Sequence, residues 1–302
     1  MKLVRSLVSS GPVFIIIAAL LWSMDGILRR SLYSLPPEII VFWEHLLGAI
    51  ILIPFFFPRL KELKTMTRKE WISVGIVSLF SGALGTIFYT AALGMVAYIQ
   101  FSVVVLLQQL QPIWAIAAAA LLLKEKLTID FLKWAALGIV AAYFVTFRDL
   151  HLNITLGNPT FIAALLALFA GMMWAVSTSF SKIVLNKISY FSATSLRFWL
   201  APIFAFAIAG YQGHTQSFTA LTSAQWVTLL GITLSTGMVA LVIYYYGLRK
   251  TPARVSTICE LVWPGSAIFI DYFLYKQTLS VTQIIGVGLL LFSIYHVSKF
   301  RK

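Results

Sequence analysis

The chain has 302 residues, of which 60% are hydrophobic and only 11% are charged, and its mean hydropathy is +0.90. Soluble domains usually have about a quarter of their residues charged, so this composition excludes a soluble globular protein and indicates an integral membrane protein. In a soluble protein the formal net charge of +13 would suggest nucleic-acid binding. In a membrane protein, basic loops instead indicate which side of the membrane is cytoplasmic, so no nucleic-acid partner is expected.

Ten apolar segments follow one another along the chain, separated by short polar loops. A helix that crosses the lipid bilayer needs roughly 20 apolar residues, whereas β-barrel strands would be about half as long with strict alternation. The segments therefore predict an all-α integral membrane protein with ten transmembrane helices, at about 12–30, 37–57, 71–93, 96–123, 128–147, 159–181, 190–210, 224–248, 252–275 and 280–298.

The basic residues lie mostly on one side of this predicted topology. With the N-terminus in the cytoplasm, 17 Lys and Arg residues fall in cytoplasmic segments and 4 in outer segments. Because cytoplasmic loops carry the excess of basic residues, we predict that both termini are cytoplasmic in the plasma membrane, the bacterial inner membrane. The single cysteine, Cys259, excludes an intrachain disulfide and a cysteine-based zinc site, and the sequence predicts neither a metal nor a cofactor.

The two halves of the chain share residues at nearly constant spacing. Matched pairs differ by 152 or 155 positions: Trp22 and Trp174, Pro112 and Pro264, Tyr89 and Tyr244. Each half holds five predicted helices, and because five is odd the second half must enter the membrane from the opposite side. We therefore predict two inverted five-helix repeats, residues 1–150 and 151–302, an architecture of secondary transporters whose substrate site lies between the repeats near the bilayer midplane.

Four charged residues lie well inside predicted spans: Asp25, Glu44, Arg197 and Glu260. Each would cost roughly 2.5–3.5 kcal/mol at a helix centre on insertion scales, so each must be paired, protonated or facing water. Trp22 and Asp25 share a helix face with Arg29, and Ser177 matches Asp25 in the second half. Asp25 thus has two interpretations, a place in the substrate pathway or an ion pair with Arg29 or Arg30.

Polar residues also mark the fourth and ninth helices, which are repeat partners. Gln108 and Gln111 share one face of the fourth helix, and Glu260 and Trp263 share one face of the ninth. We predict that these residues and Tyr89 line a hydrated pathway; the alternative for the glutamines is hydrogen bonding between helices. In each helix a proline removes a backbone hydrogen bond, so we predict hinges at Pro112 and Pro264.

Three further side chains carry expectations of their own. Arg197 has the planar fork that binds a carboxylate with two parallel hydrogen bonds, and it is equally a candidate partner for Glu44 or Glu260. Tyr244 and its neighbours are interpreted as anchors at the membrane interface, with stacking of one ring on the substrate as the alternative. Asp271, near an outer helix end, is expected to face solvent.

Two segments carry a family likeness: "LLQQLQPIWAIAAAALLLKEKLT" in the first half and "ALVIYYYGLRKTPARVSTICELVWPGSAIFIDYFLYKQTLS" in the second. This pattern resembles the EamA-type transporters of the drug/metabolite transporter superfamily. The resemblance covers nearly the whole chain and implies ten helices in two inverted repeats, a central cavity, and export or exchange of small metabolites. Glu44 stands where that family often has arginine.

These observations predict a secondary transporter that moves a small organic metabolite, such as an amino acid or related compound, by alternating access in the lipid bilayer. Asp25 or Glu44 would carry a coupling proton, because burial favours the neutral form of a carboxyl group. The alternatives are a uniporter or exchanger of anionic or phosphorylated metabolites and a non-transporting membrane assembly protein. No Walker A, H-E-x-x-H or G-x-S-x-G motif occurs in the sequence, so an enzyme is not expected.

Overall fold

A computed structural model describes residues 11–95, 97–123, 128–150, 157–251 and 253–298, and the regular structure of these residues is helical throughout. The principal helices are α1 Gly11–Arg30, α2 Pro37–Leu63, α3 Arg68–Gly94, α4 Phe101–Gln108, α5 Gln111–Leu123, α6 Ile129–Thr146, α7 Pro159–Leu185, α8 Tyr190–Gln212, α9 Ser223–Lys250, α10 Ala253–Glu260, α11 Val262–Phe273 and α12 Val281–Ser298. Within the described residues, seven of these helices are long and apolar enough to cross a membrane: α1, α2, α3, α6, α7, α8 and α9.

Polar residues just outside the helices set several of the helix starts. Thr128 accepts a hydrogen bond from the backbone N–H of Phe131 at 3.2 Å, and Asn158 accepts one from Phe161 at 3.1 Å. Thr222 does the same for Gln225 at 3.3 Å. Each bond satisfies a backbone N–H that has no partner in the first helical turn, so these helices begin where the sequence supplies a short polar side chain.

The segments predicted as the fourth and ninth helices, over 96–123 and 252–275, are each broken in two. α4 ends at Gln108 and α5 begins at Gln111, while α10 and α11 are separated at Leu261. Each break lies just before a proline, Pro112 or Pro264, which has no N–H to bond the carbonyl four residues earlier. Because the prolines are 152 residues apart, the two halves are interrupted at matching positions.

A second irregularity also occurs once in each half. α3 winds as a π-helix over Val77–Leu84, and α9 does so over Thr233–Gly237. With the spacing of 155 residues, Ser81 corresponds to Thr236, so both π segments occupy the same place in their half. Such segments are rare in proteins and are frequent at functional sites.

The helices of the two halves pack against each other in a symmetric pattern. α2 packs on α8 and α6 on α12, which are matching helices of the two halves; α1 packs on α9, and α3 packs on α7. α7 also contacts α4 and α5, just as α1 contacts α10 and α11. Because α1 matches α7 and α9 matches α3, the contact of α1 with α9 is equivalent to the contact of α7 with α3. Two repeats related by a two-fold axis produce this pattern of equivalent contacts.

The centre of the apolar core is α4, whose side chains are buried on every side. Gly26 of α1 lies so close to it that an added Cβ would be 2.0 Å from a ring carbon of Phe101. Asp271 was expected to face solvent, but it is buried at 3% exposure. Its Oδ2 accepts a hydrogen bond of 2.7 Å from the backbone N–H of Ser102, one of the N–H groups left without a helical partner at the start of α4.

A methyl group at Gly26 should destabilise the fold. We expect Gly26→Ala to lower the free energy of unfolding by about 1–3 kcal/mol, the usual cost of overpacking a filled core. The matched control is Gly75→Ala in α3, where an added Cβ meets no atom within 4 Å and alanine favours the helix. Denaturant unfolding in detergent measures both variants. Equal stability of Gly26→Ala and the parent protein would contradict the packing described.

Candidate functional site

A cavity of about 880 Å³, including its opening, is lined by side chains from both halves of the chain. Its walls come from α1, α2 and α3 of the first half, from α7, α8 and α9 of the second half, and from the broken helices. Nine of the ten residues predicted to line a pathway are in this wall: Trp22, Asp25, Glu44, Tyr89, Gln111, Ser177, Arg197, Glu260 and Trp263.

Gln108, the tenth residue, lies outside the cavity lining. Its side chain is fully buried, and its amide oxygen and nitrogen make no hydrogen bond within the described part of the chain. The helix α7 is tightly packed here, since a Cβ on Gly171 would be 3.0 Å from the carbonyl oxygen of Gln108. The matching position in the second half is Glu260, which does reach the cavity, so the two halves differ at this point.

Arg29 forms the centre of a buried ionic cluster at the cavity wall. Its Nε is 2.5 Å from Oδ2 of Asp25, and its Nη2 is 2.6 Å from Oε2 of Glu44. All three side chains are about 95% buried or more, and charges so buried require close partners. The two alternatives for Asp25 therefore coexist in one geometry, because it contacts the cavity and forms an ion pair.

Hydrogen bonds from two further helices complete this cluster. Arg29 Nη1 donates to Oγ1 of Thr90 in α3 at 3.1 Å, and Thr236 in the π segment of α9 donates to Oδ1 of Asp25 at 2.6 Å. Two carboxylates thus share one guanidinium, and ionised together the three groups carry a net charge of −1. The cluster connects α1, α2, α3 and α9 at one place.

Arg197 occupies a different part of the cavity wall. Its Nη2 donates to the carbonyl oxygen of Ser81 at 3.0 Å, and its Nη1 lies 3.5 Å from the hydroxyl of Tyr245. Within the described residues Arg197 forms no ion pair. Pairing of Arg197 with Glu44 was one of the alternatives, but the partner of that carboxylate is Arg29. Glu260 accepts a hydrogen bond from Tyr244 at 3.0 Å.

Five aromatic rings form another wall of the cavity. Trp22 lies 4.9 Å from Tyr244 and 5.8 Å from Trp263, measured between ring centroids. Trp174 lies 5.5 Å from Tyr89 and 6.1 Å from Trp263. Tyr244 was expected to anchor the helix at the membrane interface. In the structure its ring instead packs in the cavity wall, and its hydroxyl donates a hydrogen bond to Glu260. Together the rings present a surface suited to a flat apolar group.

The charged residues Glu44 and Arg197 occupy matching positions in the two halves, 153 residues apart. Each faces a glycine of a π segment: a Cβ on Gly237 would be 2.5 Å from Oε1 of Glu44, and one on Gly82 would be 3.5 Å from the Arg197 side chain. The two glycines are 155 residues apart. The absence of a side chain at both positions lets the two charged groups approach the backbone of the opposing half.

Several cavity residues were not among those predicted from the sequence: Arg29, Trp174, Thr236, Gly237 and Tyr245. The repeat spacing could have predicted Trp174, because it matches Trp22 in the first half. It could also have predicted Tyr244, another cavity residue, because it matches Tyr89. No comparable signal marked Thr236, because a threonine in an apolar helix is common. Pro112 and Pro264 lie just after the helix breaks, and their role as hinges stays a prediction.

Comparison with known proteins identifies relatives over nearly the whole chain. The model of the EamA-like transporter family matches residues 9–147 and 161–299, which confirms the resemblance seen in the sequence. "Riboflavin transporter ImpX" of Fusobacterium nucleatum is 36% identical over 294 residues, 96% of this chain and 98% of the relative.

More distant relatives are similar over most of their length. "Uncharacterized transporter sll1164" of Synechocystis is 27% identical over 81% of this chain and 70% of the relative, and "Uncharacterized transporter YetK" of Bacillus subtilis is 23% identical over 83% and 75%. One protein of known crystal structure aligns with a TM-score of 0.62 and 16% identity over 95% of each chain. That likeness shows the fold alone.

Removing the central guanidinium should destabilise the protein. We expect Arg29→Met to lower the free energy of unfolding by about 3–5 kcal/mol, because two buried carboxylates lose their shared partner. Adding Asp25→Asn and Glu44→Gln to Arg29→Met removes those charges and should restore much of the loss. Denaturant unfolding in detergent measures the series.

The control for this series is Arg148→Met, an exposed arginine whose partner is the exposed Asp149. Its removal should change stability by less than about 1 kcal/mol. If Arg29→Met were as stable as Arg148→Met, the buried cluster would not contribute as described.

Proposed function

The chain belongs to the EamA-like transporter family, and from this premise we propose that it is a secondary transporter, and not an enzyme, that carries a flat aromatic metabolite by alternating access. It would do so in the plasma membrane, the bacterial inner membrane, with both termini in the cytoplasm. The basic residues of the sequence, concentrated on one side of the proposed topology, support that orientation.

The proposal includes ten membrane spans in two inverted repeats, residues 1–150 and 151–302. In this view α4 and α5 together form one interrupted span, α10 and α11 form its counterpart, and α12 is a shorter span. The matching helix breaks, the matching π segments and the symmetric packing of the halves support the assignment. A site between such repeats is the usual location for substrate in secondary transporters.

The observation that carries the substrate class is the aromatic wall formed by Trp22, Tyr89, Trp174, Tyr244 and Trp263. An aromatic ring of a substrate binds to such side chains through offset or edge-to-face contacts, with centroids about 4.5–7 Å apart. A relative over nearly the whole chain is named a riboflavin transporter, and riboflavin has a flat three-ring system. Riboflavin is therefore the first substrate to test, and an aromatic amino acid is the second, since its carboxylate would suit Arg197.

We assign the substrate pathway to the nine cavity residues predicted from the sequence. We do not assign Gln108 to the pathway, because its amide is buried behind the cavity wall. The matching residue of the other half, Glu260, lines the cavity. The backbone breaks before Pro112 and Pro264 would act as hinges, because the missing hydrogen bonds leave those turns easier to bend. Each hinge lies beside residues of the cavity wall, so its motion would change the width of the cavity.

Proton coupling would use the two carboxylates that share Arg29. When either Asp25 or Glu44 binds a proton, the remaining carboxylate and the guanidinium form a neutral pair. When both are ionised, the cluster carries a net negative charge in a poorly solvated place, which is disfavoured. The cluster could therefore hold one proton in one state of the transport cycle and lose it in another.

Purified protein in liposomes should take up riboflavin, and substitutions in the aromatic wall should weaken that uptake. We expect Trp263→Ala to raise the KM for riboflavin several-fold, because an aromatic contact contributes about 0.5–1.5 kcal/mol beyond the apolar area it buries. Trp71→Ala is the control, since Trp71 is 42% exposed on the protein surface and does not line the cavity. Wild-type uptake of neither riboflavin nor aromatic amino acids would contradict the proposed substrate class.

A pH gradient should drive accumulation only if a coupling carboxylate can release its proton. We expect Glu44→Gln or Asp25→Asn to abolish gradient-driven accumulation while substrate exchange at equal pH persists, because an amide carries no titratable proton. Asp130→Asn, which removes an exposed carboxylate, should leave both activities unchanged. Full gradient-driven transport by both cavity variants would exclude the proton role of these residues.

A further inference from the structure

We infer that Arg197 is the substrate-binding cation of the cavity and that it binds a pair of adjacent acceptor atoms on a solute whose ring stacks against Trp174. The inference rests on the proposed transport function and names the part of the substrate that this site recognises. Four observations carry it: the unpaired charge of Arg197, its unused donors, its distance from the aromatic wall, and the asymmetry of the two halves.

The first observation is the charge of Arg197. The other cavity arginine, Arg29, is held by two carboxylates at 2.5 and 2.6 Å. Arg197 forms no ion pair among the residues that the structure describes, although it is partly buried in the wall. A poorly solvated guanidinium gains most from a partner that brings acceptor oxygens. The site therefore favours a solute that carries such oxygens.

The second observation is the number of donors that Arg197 keeps available. A guanidinium has five N–H groups, and the Ser81 carbonyl and the Tyr245 hydroxyl contact one each. The Nε is buried and makes no hydrogen bond within the described residues. The planar arrangement of the remaining donors matches two neighbouring acceptor atoms in one plane. A carboxylate has this arrangement, and a flavin ring offers a carbonyl oxygen beside a ring nitrogen as two adjacent acceptors in one plane.

The third observation is that Arg197 lies next to the aromatic wall. Both side chains contact glycines of α3. A Cβ on Gly82 would be 3.5 Å from Arg197, and a Cβ on Gly85 would be 2.7 Å from Nε1 of Trp174. Gly82 lies near the end of the π segment of α3 and Gly85 directly follows it, and Arg197 and Trp174 both line the same cavity. Arg197 and Trp174 therefore stand side by side along α3, within reach of one small solute.

The fourth observation is the difference between the two halves. Glu44 matches Arg197 by position, but its charge is already paired with Arg29. The cavity thus has a self-paired ionic cluster in one part and, in another, a cation with no carboxylate partner in the described part of the chain. A solute with acceptor atoms at one end would bind in a single orientation, with those atoms at Arg197 and its ring against Trp174.

The test measures binding of two probes to the full-length protein in detergent: riboflavin, by its fluorescence, and radiolabelled tryptophan. We expect Arg197→Gln to weaken binding of the recognised probe by about tenfold or more, since hydrogen bonds to charged groups contribute that much. Arg197→Lys keeps the charge but loses the fork, so its affinity should be intermediate. Arg148→Gln, which removes an exposed arginine, should bind as the wild type does.

The outcomes separate this inference from the proposed function. If the wild type binds a probe and Arg197→Gln binds it equally well, the inference is overturned and the transport proposal stands. If Arg197→Gln loses binding of riboflavin, the acceptors are a carbonyl oxygen and a ring nitrogen of the flavin; if it loses tryptophan alone, they belong to a carboxylate. If the wild type binds neither probe, the proposed substrate class fails first, and the inference fails with it.

A folding defect in Arg197→Gln would be detected by its elution volume and its melting temperature in detergent. In that case Arg197→Lys becomes the deciding variant, because it retains the positive charge in the wall. Wild-type affinity of a folded Arg197→Lys protein for both probes would overturn the role of the guanidinium fork.

Discussion

The ion pairs of Arg29 are the interaction on which the arrangement of the cavity depends. A guanidinium and two carboxylates removed from water are tolerated only when they neutralise and hydrogen-bond one another. The groups that satisfy Arg29 and its partners come from four helices: Asp25 from α1, Glu44 from α2, Thr90 from α3 and Thr236 from α9. The need to satisfy three buried charges therefore holds these helices together at one point and defines one end of the cavity.

The two halves share a backbone plan and differ in the side chains that they place on it. The helix breaks, the π segments and the glycines at Gly82 and Gly237 recur at matching positions. The chemistry does not recur: matching positions hold Asp25 and Ser177, Arg29 and Ser181, Glu44 and Arg197, Gln111 and Trp263. On this shared backbone plan, the unequal side chains make the cavity polar in different ways at its two ends.

Rigid and adjustable parts of the molecule are distributed differently. α4 is buried on all sides and contacts α1 through Gly26 without any gap, so it forms a fixed centre. The cavity wall instead contains the π segments and lies beside the helix breaks, where backbone hydrogen bonds are rearranged or missing. The motion that we propose for the wall would therefore leave the packing of α4 in place.

The sequence by itself determined the membrane class, the helical structure, the family and nine residues of the cavity wall. Those features follow from local composition, from the cost of polar groups in lipid and from spacings that survive in both halves. Only the tertiary structure decided which charges pair, that Gln108 lies behind the wall, that Asp271 is buried, and that Arg197 has no carboxylate partner among the described residues. The physical reason is that ion pairs form between side chains that are close in space on different helices. The spacing of residues along one segment of the sequence does not determine that distance.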